Sequence, residues 1–182
     1  DVNNYSVTDQ SSTTANITAK SLTVSGITAS DKTYDGSTSA TLTGTAVYSG
    51  LVSGDTFTGS YTGAFSDKNV GTGKTVTITP SYSGADVNNY SVTDQSSTTA
   101  DISSKSLTAT ASASNKTYDG GTTASTTLTF TGLVGSETLG QTVGSTFDNK
   151  NVGTGKAVTV NSITLADGSN GGLAANYSIS AG

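Results

Sequence analysis

The residues of this chain best placed to do chemistry lie in a string that occurs twice, Lys68-Asn69-Val70-Gly71-Thr72-Gly73-Lys74 and Lys150-Asn151-Val152-Gly153-Thr154-Gly155-Lys156. Three chemistries fit parts of it. Gly71-Thr72-Gly73-Lys74 contains the Gly-Lys of a phosphate-binding loop. That loop needs four residues between its first glycine and its Gly-Lys, and a helix after it. Here the spacing is too short and the alternating Thr75-Val76-Thr77-Ile78-Thr79 of a strand follows, so the glycines are turn glycines. A lysine beside an Asn or Asp could close an isopeptide crosslink, given burial, an acid catalyst and an apolar pocket that depresses the amine pKa. The plainer expectation for Lys68, Lys74, Lys150 and Lys156 is that they guard sheet edges against pairing with other chains. Finally, the loop oxygens of Asp67, Asn69 and Asp86, with Asn88 and Asn89 nearby, are candidates for Ca²⁺, which takes about six to eight oxygen ligands. No Asp-x-Asp-x-Asp-Gly spacing is present, and Asn and Asp are ordinary turn residues.

Catalysis has few groups to draw on. The 182 residues include no His, Cys, Met or Trp, all eight basic residues are Lys, and the only Glu is Glu137. No acid pair recurs in a reactive setting, so an enzyme is not expected and no cofactor is implied. A net charge of −5 without Arg argues against a nucleic-acid partner, which would want a basic face. No apolar run approaches the roughly 20 residues that span a bilayer, so no membrane insertion is expected. Only 32% of residues are hydrophobic, but with 12% charged the chain lacks the charge of typical disordered segments. Abundant Thr and Val favour extended backbone instead. Without Cys there is no disulfide framework.

The elements that must position these loops follow from the repeat. Each lysine string is preceded by a Tyr-Asp-Gly turn, Tyr34-Asp35-Gly36 and Tyr118-Asp119-Gly120, and followed by Asn-Tyr-Ser, at Asn89 and Asn176. Residues 1–20 return almost unchanged at 86–105. The expected organisation is therefore a closing segment of a preceding repeat at 1–19, a complete repeat at 20–103, and a second repeat at 104–182 that lacks its last strand. Short alternating runs predict strands at 22–27, 39–48, 56–61, 74–79, 90–94 and 98–102, then at 107–113, 126–131, 157–165 and 177–179. Expected inward residues of the first repeat are Leu22, Val24, Leu42, Ala46, Tyr48, Phe57, Val76, Ile78, Tyr90, Val92 and Ile102. Residues 50–54 and 132–136 are expected to make one helical turn each, and 4–17 to be a strand that completes a neighbouring unit. The junction near Ser104 has no Pro, Gly or flexible tract, which predicts a fixed angle between repeats. The fold class is all-β: tandem small β domains, Ig-like sandwich or β-grasp-like, arranged end to end as a rod.

Asp-Gly supplies the positive φ of a tight turn, and each Tyr offers a large ring with a polar tip. The expected role of Tyr34 and Tyr118 is to cap the end of a core; the alternative is an exposed ring for stacking on sugars. Asn4, Asn16, Asn89, Asn115 and Asn176 also begin Asn-x-Ser/Thr sequons.

Lys32-Thr33-Tyr34-Asp35-Gly36, Phe65-Ser66-Asp67-Lys68-Asn69-Val70-Gly71-Thr72-Gly73-Lys74 and Asn89-Tyr90-Ser91-Val92 together resemble the YDG/MBG-type repeats of very large bacterial surface proteins, filamentous-haemagglutinin-like adhesins among them. The resemblance covers the whole chain. It implies a stalk or filament module displayed outside the cell in long tandem arrays, with neighbouring copies of the repeat as its partners and no enzyme activity. Strand complementation between successive units is the expected joint. The alternative is a module whose loops weakly recognise surface glycans and gain strength by multivalency. The second copy departs from the first in reading Phe147-Asp148-Asn149 for Phe65-Ser66-Asp67, which puts a site built on the first copy's loop acids in doubt there.

Overall fold

The computed structural model describes residues 1–179, and the predicted end of the second repeat at 180–182 lies outside them. Every substantial element is a strand, as the Thr- and Val-rich alternation requires. The first repeat holds β1 (Lys20–Ala29), β2 (Lys32–Thr33), β3 (Ser39–Ala40), β4 (Leu42–Ser49), β5 (Thr58–Phe65), β6 (Gly71–Ser83), β7 (Tyr90–Thr93) and β8 (Ser97–Ser103). The second holds β9 (Lys105–Ala113), β10 (Thr126–Thr131), β11 (Leu139–Phe147), β12 (Val158–Asp167) and β13 (Tyr177–Ile179).

In the first repeat, β4-β1-β7 form one sheet and β2-β8-β6-β5-β3 another. Val24 and Ile27 of β1 meet Ile78 of β6 in one buried cluster, with Leu42, Ala46, Tyr48, Tyr61, Tyr82 and Val92 against it, so the two sheets share a core. A second cluster gathers Leu22, Phe57 and Tyr90. The strand entered from the Lys68–Lys74 loop, β6, is the middle strand of its sheet. The second repeat repeats the plan with β10-β9-β13 and β11-β12. Its β12 pairs with β11 alone among the described strands, whereas β6 has β5 on one side and β8 on the other. The largest cluster belongs to both repeats. Tyr34, Phe65, Val76, Ala100 and Ile102 of the first pack with Leu107 and Tyr177 of the second. One residue, Ser104, separates β8 from β9.

The structure differs from the expectations at four places. Residues 50–54 and 132–136 are not helical; they are turns closed by Asp55 N–H on Val52 O (3.2 Å) and Glu137 N–H on Val134 O (3.1 Å). The short 3-10 turns lie instead at Val87–Asn89 and Ala174–Asn176, just before the Tyr of each Asn-Tyr-Ser. Strand β11 was not predicted, because Leu139-Gly140-Gln141-Thr142-Val143-Gly144 carries too little apolar alternation to announce a strand. Residues 5–19 form no strand and are exposed; a strand exists only where an edge receives it, and no edge meets this one here. The same sequence at 86–105 forms β7 and β8.

Candidate functional site

The site grows from two tight turns of the first repeat. In the Tyr-Asp-Gly turn, Asp35 Oδ1 accepts the Ser37 N–H (2.8 Å) and the Lys32 ammonium (2.8 Å), and Gly36 takes φ 78°. Tyr34 N–H donates to Ser103 O (2.8 Å), which ties the turn to the end of β8. In the lysine loop, Asp67 accepts the Asn69 N–H (2.8 Å) and pairs with Lys74 (2.8 Å). These bonds leave Tyr34, Lys68 and Val70 projecting together toward the second repeat.

What they meet is a carboxylate. Glu137 Oε1 accepts from the Tyr34 hydroxyl (2.7 Å) and from Lys68 Nζ (2.9 Å), and Glu137 Oε2 accepts from the Tyr177 hydroxyl (2.6 Å). Tyr177 in turn accepts the Val134 N–H (3.0 Å), which fastens the turn carrying Glu137. Beside it Asn176 Oδ1 accepts the Val70 N–H (2.9 Å), and Asn176 Nδ2 donates to Asn69 Oδ1 (3.0 Å). The Tyr34 and Tyr177 rings stand edge to face with centroids 5.4 Å apart, and Lys68 lies 5.8 Å from the Tyr34 centroid. Tyr34 and Asn176 are each 1% exposed, and Glu137 is 7% exposed.

A lone buried carboxylate would be costly, and burial by itself would push the Glu137 pKa up. The Tyr177 and Tyr34 hydroxyls and the Lys68 ammonium reverse that and hold the carboxyl below the usual glutamate range. Burial and the neighbouring carboxylate push Tyr177 up to about 12 and raise Tyr34 as well. The bond to Glu137 raises Lys68. All four groups are thereby kept in the protonation states that hold them together. An isopeptide bond would require the neutral amine and the protonated acid, the two forms this arrangement disfavours. Its chemistry is clamping.

Lys68 and Lys74 therefore do not guard sheet edges. Lys68 bridges two repeats, and Lys74 lies on the central strand β6, paired with Asp67. Lys156 pairs with Asp148 (2.8 Å) and donates to Asn149 Oδ1 (2.7 Å), so moving the acid by one position preserves the pair. Lys116 and Asp119 repeat the Lys32–Asp35 pair (2.8 Å in each). Of the Ca²⁺ candidates, Asp67 is taken up by its own turn and Asn69 by Asn176, while Asp86 Oδ2 accepts the Thr56 N–H (2.8 Å) on another turn. Among the described residues no group of three acidic side chains gathers to hold a metal ion. The sequon amide at Asn176 is buried and bonded to Asn69.

Tyr34 is buried in a core that belongs to two repeats. Its counterpart Tyr118 is 59% exposed. Sequence reasoning missed Glu137 as a partner. The available signal was that the only glutamate follows Gly-Leu-Val at the position where the first repeat has Asp55.

A family model described as the YDG domain matches residues 18–100 and again residues 103–182. No curated protein and no solved structure matches the chain significantly. The chain belongs to the YDG domain family and carries two such domains in succession.

Proposed function

Taking two consecutive YDG domains as the premise, we propose that the chain is a non-enzymatic structural segment of an extracellular stalk or filament on a bacterial surface, joined end to end with further copies of the same domain. Its task is length and stiffness, holding a distal element away from the cell. The observation that carries this reading is the sealed joint. The single residue Ser104 links β8 to β9, and the Tyr34–Glu137–Tyr177–Lys68 clamp closes over it. A hinge needs a few residues free to absorb φ/ψ change, and here the linking residue lies between two paired strands. Two domains joined in this way act as one stiff piece, and an array of such pieces extends rather than coils.

The test is alignment in a weakly ordered medium. Residual dipolar couplings from both domains fit one common tensor if the joint is stiff. Two independent tensors, with a scattering profile of freely hinged beads, would overturn the reading. Replacing Glu137 by Ala is expected to free the joint, because three donors lose their acceptor together.

A further inference from the structure

The groups that meet Glu137 and Asn176 recur in the second domain, where they are exposed. Tyr118, Lys150, Asn151 and Val152 hold the positions of Tyr34, Lys68, Asn69 and Val70. All four are exposed, Val152 to 89%. They border an open groove of about 560 Å³ floored by Phe147 and Lys156. The turns beneath are built as in the first domain: Asp119 accepts the Gly121 N–H (2.9 Å) and Gly120 has φ 78°. This is a formed plug.

The opposite end carries the matching socket. Val52, Asp55, Asn89 and Tyr90 stand where Val134, Glu137, Asn176 and Tyr177 stand in the occupied joint. The internal wiring is the same. Tyr90 accepts the Val52 N–H (3.0 Å) and donates to Asp55 Oδ2 (2.5 Å). Yet Val52 and Asn89 are exposed and Asp55 is half-buried, while Val134 is half-buried and Glu137 and Asn176 are buried. The tail points to the same occupant. Ile17, fully exposed, is the counterpart of Ile102, which is 1% exposed in β8, and among the described strands β12 has none where β6 has β8.

We propose that the Tyr118–Lys150–Val152 face docks onto the Val52–Asp55–Asn89 face of a second copy of this chain, whose residues 12–18 pair with β12 and place Ile17 over Phe147 and Val158. This rests on the stalk reading and names the partner and the contact through which units add. Lys150 and Tyr118 donate to Asp55, and Asn89 bridges the Val152 N–H and the Asn151 side chain. The charges are complementary, a lysine to a carboxylate. Added strands of this kind draw affinity from main-chain hydrogen bonds and register from alternate side chains. Asp55 is one methylene shorter than Glu137, so its carboxylate reaches less far toward the incoming Lys150 and Tyr118.

The experiment is sedimentation of the 182-residue chain over a concentration series. Wild type is expected to form open-ended head-to-tail assemblies. A plug variant (Tyr118→Ala with Val152→Asp) and a socket variant (Asp55→Ala with Val52→Asp) are each expected to weaken association by more than about 30-fold. Mixed, they are expected to stop at a one-to-one dimer, because one live plug meets one live socket. Asp55→Glu is expected to tighten association about tenfold by restoring the reach of Glu137. Circular dichroism and thermal melting verify that each variant folds. A chain that stays monomeric at all concentrations, or a plug variant that assembles like wild type, overturns the proposal. Binding of the Tyr118 face to arrayed glycans without self-association overturns it in favour of a carbohydrate site. A monomer whose two domains still share one alignment tensor overturns this proposal while leaving the stalk reading intact.

Discussion

The two ends of the YDG pair carry the same residues in different circumstances. Tyr34 is 1% exposed and Tyr118 is 59% exposed, although each follows a Lys-Thr step, precedes Asp-Gly, and sits on a turn braced by the same lysine–aspartate pair. Val76 is wholly buried in a sheet completed by β8, while its counterpart Val158, in a sheet without that strand, is half-buried. Local sequence builds the turn and aims the ring. Whether the ring is buried depends on the neighbour. The second domain also has the thinner core. Where the first packs Tyr48, Phe57, Tyr61 and Tyr82 ring to ring, with centroids 5.0–6.1 Å apart, the second has Phe130, Leu139, Val143 and Leu165.

Matched substitutions at the two ends break this comparison if the contexts are in fact equivalent. The largest contrast is expected in the duplicated tail. Ile102→Ala empties a buried position of the shared cluster and should cost about 3 kcal/mol. Ile17→Ala in the same local sequence should leave the denaturation midpoint of the monomer unchanged. Next comes the ring hydroxyl. Tyr34→Phe removes a buried hydrogen bond to a carboxylate and should cost about 2 kcal/mol, and Tyr118→Phe should fall within about 0.5 kcal/mol of wild type. A smaller contrast is expected at the turn glycines. Both Gly36→Ala and Gly120→Ala force a side chain into the left-handed region, at about 1 kcal/mol each. Only at Gly36 would the new Cβ also meet Val134, at 2.7 Å, adding roughly another 1 kcal/mol. Urea titrations of the six single variants measure these differences.

The pH dependence sharpens the same point, since only the occupied joint has a buried acid. The folded Glu137 pKa is lowered, so its contribution to stability is complete above the ordinary glutamate value and is lost as pH falls through the lowered one. Tyr34 and Tyr177 are raised, so their contribution is complete below the ordinary tyrosine value of about 10 and is lost as pH rises through the raised values, about 12 for Tyr177. Stability of the joint should therefore be level between those limits and fall on either side. In Glu137→Gln the acid limb from this group should vanish, as read from urea midpoints between pH 7 and pH 3. An unchanged acid limb would place the titrating group elsewhere.

Much of the fold was legible in the sequence. The Thr-Val alternation of 75–79 identified the central strand β6, and the duplicated Lys68–Lys74 string identified two repeats, because period-2 patterning and turn glycines act over a few residues. Strand β11 was not legible, since its glycines and polar residues are held by pairing with β12 and not by their own preference. The clamp was legible only in part. Tyr34 and Lys68 stood out by repetition, but nothing local connects them to Glu137, which is 103 residues from Tyr34 in the chain.

The sequence by itself determined the all-β class, the two YDG units and the Tyr-Asp-Gly turns, since each follows from residue preferences over short spans. The tertiary structure alone decided that the tyrosine of one unit buries against the glutamate of the next, that Lys68 spans the joint instead of guarding an edge, and that the same tail is two strands at 86–105 and none at 5–19. A carboxylate becomes a clamp only when three donors reach it together, and a strand exists only where another edge accepts its hydrogen bonds.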